Sequence, residues 1–253
     1  GGGSDTTSTE GTPGSTTEPP DEPAVRHASE FGTVVEALDY GVDPEGTQPI
    51  NQFLVEQAGD DTLLSFPAGT YRLDPVDLSG YTGLGIAASH DERPTFVGQE
   101  GNCTGGGNSH LLFQGVSDFL LDGIAFDFEA PGAGGAIRVN ATGDVTISNI
   151  AASGGCADQI VLFRIDMLEP DATGVIENLN LDNRDQDVAL TGVYVGDNHA
   201  GEVIFRDCTI TGFTDNGLYA SAPGLPDGKG GIVHVEGGIY RNNNIANVRL
   251  GSE

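Results

Sequence analysis

Phe119-Leu-Leu-Asp-Gly-Ile-Ala-Phe126, Val145-Thr-Ile-Ser-Asn-Ile-Ala-Ala152, Val175-Ile-Glu-Asn-Leu-Asn-Leu181, Val203-Ile-Phe-Arg-Asp-Cys-Thr-Ile210 and Val233-His-Val-Glu-Gly-Gly-Ile-Tyr240 are five versions of one segment. Each has alternating apolar residues, then a Gly, Asn or Asp, then a second alternating run. Stacked, they align Gly123, Asn149, Asn178, Asp207 and Gly237 at spacings of 26, 29, 29 and 30 residues. A fixed period in this range is the mark of a solenoid. Alternation calls for strands, and the aligned residue types suit a corner with positive φ. A further strand precedes each later segment: Ala136 to Asn140, Gly192 to Val195, Gly217 to Ser221 and Asn247 to Leu250. The expected fold is all-β, a right-handed parallel β-helix of about three strands and roughly 4.8 Å of rise per coil. A β-sandwich also offers many short strands, but it rarely keeps corner residues in phase over five units.

Outward from the coils, the chain divides. Residues 1–29 read as a disordered stalk, since Gly1 to Pro23 contain no aliphatic or aromatic side chain and cannot offset ordering entropy by burial. The helical domain is expected over 30–253, with a cap over 30–75 and coils over about 76–253. Within the cap, Ile50, Phe53, Leu54 and Ala58 have the spacing of one short helix, and Leu63 to Leu73 reads as two short strands around a Pro/Gly turn. The final run from Asn247 starts a coil that the sequence does not complete, so missing coils or another subunit are expected to cover that end.

Ten basic residues against 38 acidic ones give 253 residues a formal charge of −28. That balance excludes a duplex nucleic-acid binder, which needs a basic face. With one lysine and acids spread along the whole chain, it fits a halophile surface or an acidic secreted protein. No apolar run approaches the roughly 20 residues of a transmembrane helix. The stalk and the sequons at Asn102 and Asn140 lead to an expectation of an exported, surface-tethered, extracellular protein. Three cysteines leave at least one unpaired. Cys103 and Cys156 lie in Gly-rich loops and are able to pair, whereas Cys208 aligns with the inward residues Ile124, Ile150 and Leu179.

From Val35 to Leu73, Asp39-Tyr40-Gly41-Val42-Asp43-Pro44-Glu45-Gly46, a helix and Phe66-Pro67-Ala68-Gly69-Thr70-Tyr71 follow one another. This cap resembles that of the pectate lyase and polygalacturonase superfamily, and the coils are similar to its repeats. The resemblance implies a carbohydrate-facing scaffold, often a lyase or hydrolase of uronic-acid polymers, without fixing a reaction. The chain departs from the family at Thr47-Gln48-Pro49-Ile50-Asn51, where an acidic-Thr-x-x-Ile helix start is common. Of the polygalacturonase catalytic elements it shows only an isolated Asp60-Asp61, in the cap.

If Ile137, Val193, Leu218 and Val248 point inward, Arg138, Tyr194, Tyr219 and Arg249 point outward. Arg164 joins them by its spacings of 26 to Arg138 and 30 to Tyr194. This Arg/Arg/Tyr/Tyr/Arg column suits an acidic polysaccharide, with bidentate donors for carboxylate or sulfate and flat tyrosine faces for sugar rings. The bland alternative is that these arginines merely neutralise neighbouring acids. For catalysis the nearest constellation is Asp197, His199 and Asp215 in the turns beside the column. A lyase would call for Ca²⁺, and Asp182-Asn183-Arg184-Asp185-Gln186-Asp187 offers oxygen ligands but no defined metal motif. His90, His110 and His234 lack metal-ligand spacing, and no partner for His234 is visible. Two function classes remain: a β-helix that binds and cleaves an acidic polysaccharide, and a non-catalytic structural or adhesion module.

Overall fold

The computed structural model describes residues 1–3, 24–183 and 190–251. It is a parallel β-solenoid in which the chain visits three sheets in turn, two of eight strands and one of seven. The first sheet holds Phe119–Asp122, Val145–Ser148, Thr173–Glu177, Glu202–Arg206 and Ile232–Glu236, each hydrogen-bonded in parallel to the next. The second holds their partners after the corner, from Ala125–Phe128 to Ile239–Arg241. The third runs through Cys103–Val116, Gly134–Ala141, Val161–Met167, Thr191–Tyr194, Leu218–Ala220 and Val248–Leu250.

The aligned corner residues turn the chain as expected. Gly123, Asn149, Asn178, Asp207 and Gly237 have φ of 73°, 55°, 52°, 50° and 68°. The amides also bind one another up the stack. Asn178 donates to Asn149 at 2.9 Å, and Asn149 donates to Asp122 at 2.8 Å. Such side chains tolerate the left-handed region and here satisfy their own polar groups.

Inside the coils, Ile124, Ile150, Leu179 and Cys208 form a fully buried column, and Cys208 is a free thiol whose burial raises its pKa to about 11. Cys103 and Cys156 are joined as a disulfide, Cα to Cα 5.6 Å. At the N-terminal end, the helix Asn51–Gln57 lays Phe53 and Leu54 over the open coil. From there a chain of edge-to-face rings runs Phe53, Phe66, Phe96, Phe126 at 5.6, 4.9 and 5.7 Å.

The two cap strands Thr62–Phe66 and Thr70–Arg72 lie in different sheets, so Pro67-Ala68-Gly69 is a coil corner and no hairpin forms. A Cβ on Gly69 would meet Pro44 at 3.0 Å, and the Tyr71 hydroxyl donates to the Pro67 carbonyl at 3.0 Å. Asp60 and Asp61 accept backbone N–H groups from Thr82 and Gly32, which makes them corner formers.

Residues 4–23 of the expected stalk lie outside the described residues. Its last part is docked. Arg26 pairs with buried Asp122 at 2.5 Å, His27 reaches the same carboxylate at 3.1 Å, and a Cβ on Gly85 would strike the Phe31 ring at 2.5 Å. The segment leading into the first strand therefore straps across the outer face of the first sheet. No helix among the described residues is long and apolar enough to cross a membrane.

Candidate functional site

The third sheet places the five column residues on consecutive rungs. Arg138 pairs with Arg164, Arg164 with Tyr194, Tyr194 with Tyr219, and Tyr219 with Arg249. Their inward neighbours Ile137, Phe163, Val193 and Leu218 are fully buried. The alternation of a strand thus sends the column residues to the outer face.

Adjacent rungs are about 4.8 Å apart, close to the thickness of a stacked ring pair, and this decides what the tyrosines offer. Arg164 lies over Tyr194 at 5.1 Å, the two tyrosine centroids are 5.3 Å apart, and Arg249 lies over Tyr219 at 4.6 Å. The ring faces are taken up along the column, so they are not flat platforms for sugars. What the column turns outward is ring edge, phenolic hydroxyl and guanidinium.

Beside it lies a groove of about 360 Å³ lined by Arg138, Ile160, Val161, Arg164, Thr191, Tyr194, Asp215 and Tyr219. Arg164 is held in place. Its Nε donates to Asp166 at 2.7 Å, and Asp166, itself 1% exposed, also accepts the Gly196 N–H at 2.7 Å. Burial and then the Arg164 guanidinium push the Arg138 pKa down from its ordinary value, and burial pushes Tyr194 up. Two guanidinium groups facing one groove oppose each other's charge, and an anion between them would relieve both.

The catalytic trio does not assemble around this groove. Asp215 lines it, with its oxygens accepting from Thr191 at 2.7 Å and from Asn216 at 2.8 Å. Asp197 stands outside, 57% exposed and 3.9 Å from Arg164. His199 is fully buried: its Nδ1 accepts the Met167 N–H at 3.0 Å and its Nε2 donates to the Ile232 carbonyl at 3.0 Å. With both ring nitrogens committed to backbone, and with burial lowering its pKa, His199 serves the wall of the solenoid.

His234 does have a partner, Glu202 on the neighbouring coil at 3.1 Å. His110 is buried and gives its Nε2 proton to the Leu73 carbonyl at 2.9 Å. Residues 184–187 of the acidic loop lie outside the described residues. Among the described residues, no cluster of three or more His, Cys, Asp or Glu side chains is placed to hold a metal ion.

Sequence reasoning missed Asp166, Thr191 and Ile160. Asp166 was within reach: Arg164-Ile165-Asp166 puts both charged residues on one strand face by simple alternation.

The fold and the groove define a class, a parallel β-solenoid with a cationic outer column. No protein-family model matches the chain, and no curated protein matches it. Among solved structures, a "putative glycosyl hydrolase" from Parabacteroides merdae superposes at a TM-score of 0.48 and 12% identity, over 79% of this chain and 93% of that one. A likeness at that level carries no functional argument.

Proposed function

We propose that this protein binds an acidic polysaccharide along the outer face of the third sheet, with the chain running in the groove beside Arg138, Arg164, Tyr194, Tyr219 and Arg249. The observation that carries this reading is the register: five donor-bearing side chains occupy successive rungs, three of them guanidinium groups in a chain with only nine arginines. Guanidinium forks match carboxylate and sulfate, and phenolic hydroxyls add neutral donors. Asp215, held by Thr191 and Asn216, supplies an acceptor for sugar hydroxyls.

Recognition without cleavage is the reading that the groove favours. Among the described residues, Asp215 is the one carboxylate lining it, and His199 has no nitrogen to spare. Hydrolysis ordinarily calls for two carboxyl groups across the bond. The Cys103–Cys156 disulfide supports an extracellular setting, since such bonds persist in oxidising compartments. Surface tethering through residues 1–23 belongs to the same proposal.

The test is a titration in molar NaCl against pectate, alginate, a sulfated galactan and a neutral glucan, with reducing ends and unsaturated products followed in parallel. Binding of the acidic polymers alone, lost in an Arg138→Ala/Arg249→Ala double variant, supports the proposal. Equal affinity in that variant, or binding of the neutral glucan alone, overturns it.

A further inference from the structure

One side chain in the groove does not fit a purely polar site. Ile160 is 62% exposed, yet it lines the same groove as Arg138, Arg164 and Asp215. Single exposed aliphatics are ordinary on a protein surface, and the strand residues Ile232 and Ile239 are others here. Ile160 differs in lining a charged groove from a backbone that is held in place. Gln159, only 2% exposed, accepts the Cys156 N–H through its Oε1 at 3.2 Å and donates from its Nε2 to the Val161 carbonyl at 2.8 Å. The Ile160 carbonyl itself accepts the Thr191 N–H at 3.1 Å, and Cys156 is tied by the disulfide to Cys103. A buried amide, a ladder hydrogen bond and a covalent cross-link thus fix the backbone on both sides of an isoleucine that faces solvent.

Holding an apolar side chain rigid in water at the mouth of a charged groove has a cost that contact with an apolar ligand group would recover. The anionic part of the ligand is accounted for by the two guanidinium groups. Its hydroxyls are accounted for by Asp215. What remains for Ile160 and Val161 is a small hydrocarbon group next to an acidic sugar, and on polysaccharides that means above all the methyl of an acetyl ester.

We infer that Ile160 is a specificity-determining contact, selecting an acidic glycan that carries O-acetyl groups. The inference rests on the polysaccharide-binding reading above and narrows its substrate class. The acetyl methyl packs against Ile160 while the neighbouring carboxylate meets Arg138 and Arg164.

The experiment compares O-acetylated alginate oligomers with the same oligomers after mild alkaline de-esterification, titrated in molar NaCl against the native protein and Ile160→Ser. Because Ile160 is exposed, the variant is expected to melt with the native protein. The native protein should prefer the acetylated oligomers about tenfold, the usual worth of one small apolar group in a fitted site. In Ile160→Ser the ratio of the two affinities should fall to about one. Equal affinities for the two forms in the native protein overturn the inference and leave polysaccharide binding standing. A preference that survives in Ile160→Ser overturns it too. No binding of either form overturns the polysaccharide reading and this inference together.

Discussion

Arg164 and Asp166 lie two residues apart on one strand and are locked together, Nε to Oδ2, at 2.7 Å. The carboxylate is buried beneath the guanidinium, and its other oxygen holds the Gly196 N–H. The arginine on the second rung of the column is therefore aimed by a group that no ligand would touch.

Asp166→Asn keeps the shape but loses the charge that orients Arg164. A buried charged hydrogen bond of this kind contributes about 2 kcal/mol, so the melting temperature should fall by about 5 °C. Measured well below both melting points, affinity for an acidic oligosaccharide should drop about tenfold. An unchanged affinity in a folded variant would show that the pair is only structural.

Acid should destabilise the fold in the range where histidine titrates. Burial lowers the pKa of both His110 and His199, so the folded state keeps these rings neutral while an unfolded chain protonates them below about pH 6.5. Stability is then full above that value and lost as the pH falls below it, at most about 1.4 kcal/mol per pH unit for each ring. Denaturant titrations at pH 7.5 and 5.5 in molar NaCl measure the limb, and ring-proton shifts that titrate near pH 6.5 in the folded protein would contradict it.

A second acid limb belongs to Asp122. Burial alone would raise its pKa, but Ser148, Asn149, His27 and Arg26 together hold the carboxyl below its ordinary value. Its contribution is present above the unfolded value of about 3.9 and disappears as the pH falls through the folded one. Asp122→Asn should flatten this lowest limb and release the strap, which limited proteolysis near Arg26 would reveal.

Reducing the disulfide should cost more than its small size suggests. It closes a loop of 53 residues, and the chain-entropy relation gives about 4 kcal/mol for that length. A Cys103→Ser/Cys156→Ser variant is expected to melt about 10 °C lower. An unchanged melting temperature would mean that the coils hold this region unaided.

Salt should act in the opposite direction to its usual effect on ion pairs. With a formal charge of −28, self-repulsion outweighs the few pairs seen, and raising NaCl from about 0.1 M to about 2 M shortens the Debye length from roughly 10 Å to a few ångströms. The melting temperature should rise by several degrees across that range. A fall would show that Arg26–Asp122 and its like dominate.

The coils and the column could be read in the sequence because both depend on one repeated interval. Once Gly123, Asn149, Asn178, Asp207 and Gly237 are in phase, the rungs of Arg138, Tyr194, Tyr219 and Arg249 follow by alternation and that of Arg164 by its spacing. What stayed hidden depends on neighbours one or more coils away. His199 is consumed by Met167 and Ile232, 32 and 33 residues distant, and His234 finds Glu202 at the same kind of remove. Arg26 and His27 find their shared partner Asp122 nearly a hundred positions downstream. The fate of the tyrosine faces is not legible in one dimension for a geometric reason: residues in register on adjacent rungs are close enough to stack on each other before any sugar arrives.

The Cys103–Cys156 link also has a mechanical meaning. In a parallel solenoid each coil is gripped mainly by the coils next to it, so a pull on the two ends would peel the winding away turn by turn, as thread leaves a spool. The cross-link spans nearly two turns of chain and carries load along a covalent path, so force would bypass the 53-residue stretch between its ends. That stretch includes the strand bearing Arg138. Under tension, the part of the winding that carries the first arginine of the column would be spared from stretching.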